Sequence, residues 1–274
     1  MPDSSSWDVI FGADSGQIVL SVDFPASRPS AAGFPDLAAR IGPGFRFLQT
    51  RPRAVRSCQR LSGDAYVGPW VSDIALHQHQ VLAVLGCRIG SVYAAAIAEG
   101  ISQWQPMPKV ILFDPQFISN SQLSLEFRRE IGAVSSLLGD DEIERATKAA
   151  AEISQSAAGD IADVAAGMVE SYIEIITAAF ERVGLGDARS NKFTASFESY
   201  ISWLSAADQI DPRPVWKHST VITSSAYSEL PDGAYLAVDD DGGASQLVPF
   251  DVDHADLLRS DCVAQTVQQL LESR

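Results

Sequence analysis

The stretch VLAVLGCRIGSVYAAAIAEG (81–100) joins an apolar run of strand length, a turn framed by Gly86 and Gly90, and an alanine-rich segment with helical spacing. A strand that is apolar without alternation is one covered on both faces, and a tight strand-to-helix turn after it belongs to a parallel sheet flanked by helices. Small residues two before and two after the apex let strand and helix approach closely and project the central side chain outward. In the G-x-S-x-G form of this turn the apex is a nucleophile. Here the apex is Arg88, a permanently protonated group that cannot be one.

The same alternation runs through the first 117 residues. IVLSVDF (18–24), FRFLQT (45–50) and VILFD (110–114) read as strands, and FPDLAARIG (34–42), PWVSDIALHQ (69–78) and SVYAAAIAEGI (91–101) as helices. The pattern then changes. Ile161, Val164, Ala165, Met168, Val169, Tyr172, Ile173, Ile176, Phe180 and Val183 step by three and four, which predicts one long amphipathic helix ended by Gly184 and Gly186. Ile143, Ala146, Ala150 and Ile153 predict a second, and Phe193, Phe197, Ile201 and Leu204 a third, broken by DPRP (211–214). Strand patterning resumes with STVITSS (219–225), AYLAVDD (234–240) and SQLVPFDV (245–252), DDDGG reads as a turn, and a final helix spans Leu257 to Leu271. The expected organisation is an α/β core in two parts, 1–117 and 213–274, with a helical lid inserted over 118–212.

No apolar run nears the roughly 18 residues of a membrane span. Met1 to Gln17 is polar and acidic, without the basic start and apolar stretch of a secretory signal, so the expectation is a cytoplasmic protein. Three widely spaced cysteines, Cys58, Cys87 and Cys262, make neither a disulfide framework nor a zinc site. Cys262, at helical spacing from Leu257 and Leu258, is expected to pack. A net charge of −15 excludes nucleic acid and anionic membrane as natural partners. One local exception is Arg46, Arg51, Arg53, Arg56 and Arg60, five of sixteen arginines in fifteen residues. Such a cluster either holds a phosphate, a carboxylate or an acidic partner, or balances nearby acids in a solvated loop.

Two residues accompany the turn. Asp114 ends the strand after the elbow and is followed by Pro115; His254, in DVDHADLL, sits between the last strand and the last helix. An acid and a histidine emerging at strand ends, in the chain order apex, acid, histidine, is the arrangement of a triad on this fold.

On these residues the chain resembles the α/β-hydrolase thioesterases of nonribosomal peptide and polyketide assembly lines. DFPASRPSAAGFPDLAARIG stands where those carry an FPGAGG-like segment, GCRIGSVYAAAIAEG matches their elbow and small-residue helix, ILFDP their acid strand and DHADLL their histidine. The resemblance implies Asp114 as acid, His254 as base, and the backbone N–H groups of Ala26 and Ile89 as oxyanion donors. It implies no cofactor or metal. It implies as substrate an acyl or peptidyl group on a carrier protein's phosphopantetheine arm, or a small acyl compound. The apex does not carry over, and Ser27-Arg28-Pro29 replaces the usual small residues.

Three accounts of the site stand open. Cys87, one residue before the apex, serves as nucleophile with Arg88 lowering its pKa; a shifted turn would then place Leu85 and Ile89 at the small positions. Or His254, oriented by Asp114, acts as general base on water or a substrate group while Arg88 clamps an anionic oxygen. Or catalysis is gone and the module only binds a carrier protein or biosynthetic partner. Arg51, Arg53 and Arg56, following a strand end, are the expected contact to such a partner or to the phosphate of its arm.

Overall fold

The computed structural model describes residues 6–12, 17–24, 31–51, 53–54, 60–76, 80–155, 160–227 and 246–273. The strand expected at 234–240 and the DDDGG turn lie outside them. The chain divides into two compact units: Met1–Pro52, Gly63–Phe117 and Ile210–Arg274 form one, and Arg53–Ser62 with Ile118–Gln209 the other.

Among the described residues, the first unit is built on a seven-stranded sheet ordered β1-β3-β2-β4-β5-β6-β7. Its strands are β1 (Trp7–Phe11), β2 (Gln17–Val22), β3 (Arg46–Thr50), β4 (Gln80–Cys87), β5 (Lys109–Phe113), β6 (Thr220–Thr223) and β7 (Gln246–Pro249). All pairings are parallel except β1 with β3. The central β2 and β4 are buried almost throughout, as their unbroken apolar runs require.

Successive strand residues point to opposite faces, and this sorts the core. Val19, Phe47, Ala83, Leu85, Cys87, Ile111, Phe113 and Ile222 pack with α1 (Phe34–Ile41) and α9 (Asp261–Glu272). The opposite face is covered by α2 (Gly63–Leu76) and α3 (Gly90–Ile101), whose Tyr66, Trp70 and Tyr93 rings meet at centroid distances of 5.7 to 5.9 Å. Trp7 Nε1 donates to the Trp70 carbonyl and ties β1 to this layer.

Two expectations are corrected. The final helix is not continuous from Leu257: a 3-10 turn runs from His254 to Arg259, and α9 begins only at Asp261. Cys262, on the first turn of α9, is consequently turned to solvent instead of packing. The break keeps Leu257 and Leu258 buried together on the core, which consecutive residues of one α-helix do less readily.

The second unit is helical: α4 (Asn120–Ala133), α5 (Asp140–Gln155), α6 (Ile161–Arg182) and α7 (Asp187–Ala207). Tyr172 stacks on Phe197 at 3.8 Å between centroids, and Phe127 meets both rings edge-on. Glu142 caps α5 by accepting from Gly139 N–H and from Arg182 at the end of α6. Ile143, Ile173 and Phe193, assigned to apolar faces by spacing, remain exposed. The first unit resumes with the short α8 (Arg213–Trp216).

Candidate functional site

The turn after β4 is as tight as its glycines imply. A Cβ on Gly86 would lie 2.6 Å from Ser91 Cα, and one on Gly90 would lie 2.2 Å from the Val22 carbonyl oxygen. Neither position admits a side chain without moving backbone, so the helix of α3 is pressed onto β2 and β4. Arg88 sits at the apex with φ +51°, and Asp114, in the turn after β5, has φ +43°. Among the described residues these are the only non-glycines in the left-handed region. Such a backbone costs about 1–2 kcal/mol per residue, and concentration of that strain at two neighbouring strand ends makes them the candidate site.

The two turns are one structure. Cys87 and Phe113 are register partners on β4 and β5, so Arg88 and Asp114 leave the sheet side by side. Arg88 N–H donates to the Phe113 carbonyl at 2.9 Å, and Gln116 N–H returns a bond to the Arg88 carbonyl at 3.3 Å. The Arg88 side chain, half-buried, donates from Nε to Gln116 Oε1 at 3.0 Å. The turn is held from outside as well: Tyr227 Oη donates to the Pro115 carbonyl, and Phe117 lies against Trp216 with Arg213 over its ring.

Asp114 is 1% exposed, and a buried carboxylate must be paired. Its Oδ1 accepts from Ser224 N–H at 2.7 Å, and its Oδ2 lies 2.5 Å from His254 Nδ1. Two backbone bonds, Phe250 N–H to Thr223 O and Ser225 N–H to Val252 O, draw the loop after β7 against the end of β6. That places His254, 140 residues from Asp114 in sequence, within reach of it. The His254 side chain is 28% exposed, and its Nδ1 is committed to the acid.

Ile89 opens α3 with helical dihedrals, and its N–H finds no acceptor among the described residues. An unpaired amide at a helix N-terminus, beside a cation, is a site for negative charge. Cys87 instead belongs to the buried cluster with Phe113, Ile222, α1 and α9. Ala26, the other expected oxyanion donor, and Arg56 lie outside the described residues.

The arginine cluster does not persist as a set. Arg51 is paired with Asp8 across β3 and β1, and Arg60 with Asp163 at 2.8 Å on α6, while exposed Arg53 has no partner among the described residues. Arg51 and Arg60 thus balance local acids. Gln116 is the site residue that sequence reasoning missed; nothing in DPQF beyond its distance of two from the acid signals it.

The helical unit has a cavity of about 760 Å³ between α6 and α7, left by small residues such as Ala162, Ala165, Ala166 and Ala195. Its lining carries Glu170 and Glu198 but neither histidine nor cysteine, so the candidate chemistry lies at the sheet end. Among the described residues no group of three His, Cys, Asp or Glu side chains could hold a metal ion, and no helix is long and apolar enough to cross a membrane.

No protein-family model matches the sequence, and no curated protein matches it either. Among solved structures, a four-domain nonribosomal peptide synthetase bound to AMP and glycine is similar over 98% of this chain, with 12% identity and a TM-score of 0.56; the chain spans 20% of that protein's length. The Vlm2 thioesterase domain bound with a dodecadepsipeptide is similar over 97% of this chain and 96% of its own, at 17% identity and TM-score 0.48. The RedJ thioesterase of the prodiginine pathway in Streptomyces coelicolor is similar over 93% and 88%, at 13% identity and TM-score 0.44. At these identities likeness speaks to the fold. With the sheet order and the apex–acid–histidine order at its strand ends, the chain has an α/β-hydrolase fold.

Proposed function

We propose that the protein hydrolyses an acyl or peptidyl thioester, carried on phosphopantetheine or a carrier protein in natural-product assembly, by general-base attack of water and without an acyl-enzyme. The observation that supports this is the Asp114–His254 hydrogen bond beside an apex that offers no nucleophile. Because Asp114 accepts a hydrogen bond from Nδ1–H, Nε2 of the neutral ring carries the lone pair and is the basic nitrogen.

The step balances without a cofactor. Nε2 removes a proton from water as the water oxygen bonds to the thioester carbonyl carbon. The displaced π pair becomes an oxyanion opposite the Ile89 N–H and the Arg88 guanidinium. The pair returns, the C–S bond breaks, and the imidazolium gives its proton to the departing sulfur. A thiol, with an ordinary pKa of about 8.5, leaves more readily than an alcohol. A hydroxyl or amine of the substrate in place of water would give cyclisation. Cys87 has no part in this reading because it is packed in the core.

One observation favours a noncatalytic carrier-binding module: the Arg88 side chain is held by Gln116, as a pocket filler would be. Turnover of octanoyl-pantetheine, followed by released thiol, separates the two. General-base catalysis predicts turnover that falls about 10²–10⁴-fold in His254→Ala. Turnover unchanged in that variant excludes the mechanism, and carrier-protein binding with no turnover establishes the module.

A further inference from the structure

We infer that Gln116 is a further catalytic residue, whose amide nitrogen donates a hydrogen bond to the substrate's carbonyl oxygen. The inference rests on the thioester reading above and deepens it.

The orientation of the Gln116 amide is settled by chemistry. Arg88 Nε–H can only donate, so the atom 3.0 Å from it must be the amide oxygen, and the NH₂ must point away. Gln116 is only 2% exposed, and its NH₂ has no acceptor among the described residues. The nitrogen is not one of the fully enclosed side-chain atoms that lack a partner, so it reaches accessible space where an incoming acceptor can meet it. The amide belongs to a set of groups suited to negative charge: its oxygen receives Arg88 Nε–H, Arg88 precedes the unpaired Ile89 N–H, and Asp114, two residues before it in sequence, holds His254.

The amide is also rigid. Gln116 N–H is bonded to the Arg88 carbonyl, and the residues on either side are fixed by Tyr227 and Trp216. A donor held this way needs no reorganisation when charge develops opposite it, which is what oxyanion stabilisation requires. The group it receives is an acceptor without a proton: a carbonyl, an oxyanion or a carboxylate. Alkylammonium groups and hydroxyl donors do not suit it. In a chain whose apex was given over to arginine, Gln116 supplies the second neutral donor that accompanies the Ile89 N–H.

The test compares Gln116→Met, which has neither donor nor acceptor, with Gln116→Glu, which keeps an acceptor for Arg88 but lacks the amide donor. Turnover of octanoyl-pantetheine is measured, together with binding of its nonhydrolysable amide analogue and a melting curve to verify folding. The donor role predicts that kcat falls about 10²-fold in both variants while KM changes little, and that analogue affinity weakens. A role in merely holding Arg88 predicts that Gln116→Glu stays near wild type, and a simple charge effect predicts that Gln116→Met does; either result overturns the inference. If the wild type shows no His254-dependent turnover, the thioester reading fails by itself, and analogue binding decides for Gln116. Equal affinity in wild type and Gln116→Met, or no binding to the wild type, overturns it.

Discussion

Replacing Asp114 by Asn tests the dyad with almost no change of shape. The carboxylate serves two donors: Ser224 N–H on Oδ1 at 2.7 Å and His254 Nδ1–H on Oδ2 at 2.5 Å. An asparagine has one oxygen. The backbone N–H of Ser224 can only donate, so that oxygen stays with it and the amide NH₂ turns to His254. Nδ1 must then accept, the ring proton moves to Nε2, and the basic lone pair faces the core. The same exchange in the serine triad lowers kcat about 10⁴-fold through the wrong tautomer. Here no nucleophile is activated, and the loss is that of the general base alone, about 10³-fold or roughly 4 kcal/mol. Stability should change far less, about 1–2 kcal/mol for one charge-assisted bond. Two assays read this: kcat on octanoyl-pantetheine, and nitrogen NMR of the histidine rings, of which the chain has four. Asp114→Asn within tenfold of wild type, with Nδ1 of His254 still protonated, would refute the reasoning.

Three other outcomes follow from the packing and the charges. Gly90→Ala forces a Cβ within 2.2 Å of the Val22 carbonyl oxygen and should lose more than about 2 kcal/mol in denaturant unfolding, whereas Gly132→Ala, in open space on α4, should gain a few tenths; equal midpoints would contradict the elbow geometry. Bonds from Arg182 and Gly139 N–H hold the Glu142 carboxyl below its ordinary value of 4.5. Its contribution to folding is therefore full above that value and lost as pH falls through the lowered one, so Glu142→Gln should lower the melting temperature at pH 7 and converge with wild type in acid. A constant difference would contradict this. Reversing the charges of Arg51 and Arg53 should weaken carrier-protein binding at low salt, with Arg53 taking the larger share because Asp8 already pairs Arg51; unchanged affinity removes the basic contact.

What could be read from the sequence was what a periodic or steric rule dictates. The runs that became β2, β4 and β5 are apolar on both faces, and Gly86 and Gly90 occupy positions where no Cβ fits. Asp114 and His254 were legible as strand-end residues in a fixed chain order, although their contact depends on bonds between the loop after β7 and the end of β6 that no local pattern encodes. β1 was missed because only Trp7 of its five residues is fully buried, leaving no alternation to find. α4 was not singled out because its buried positions include Asn120, Gln122, Ser124 and Glu126, which look like a solvated face. The arginine cluster misled through proximity in sequence: a strand partner takes Arg51 and a helix takes Arg60. The place proposed for Gln116 rests on which of its atoms faces Arg88, and that information exists only in three dimensions.

The central claim is attack by water at a site without a covalent intermediate. Intact mass spectrometry of the protein, quenched during turnover of octanoyl-pantetheine, tests it most directly. The account predicts octanoate in solution and a protein of unchanged mass throughout. An octanoyl adduct on the protein, abolished in Cys87→Ala, would contradict it.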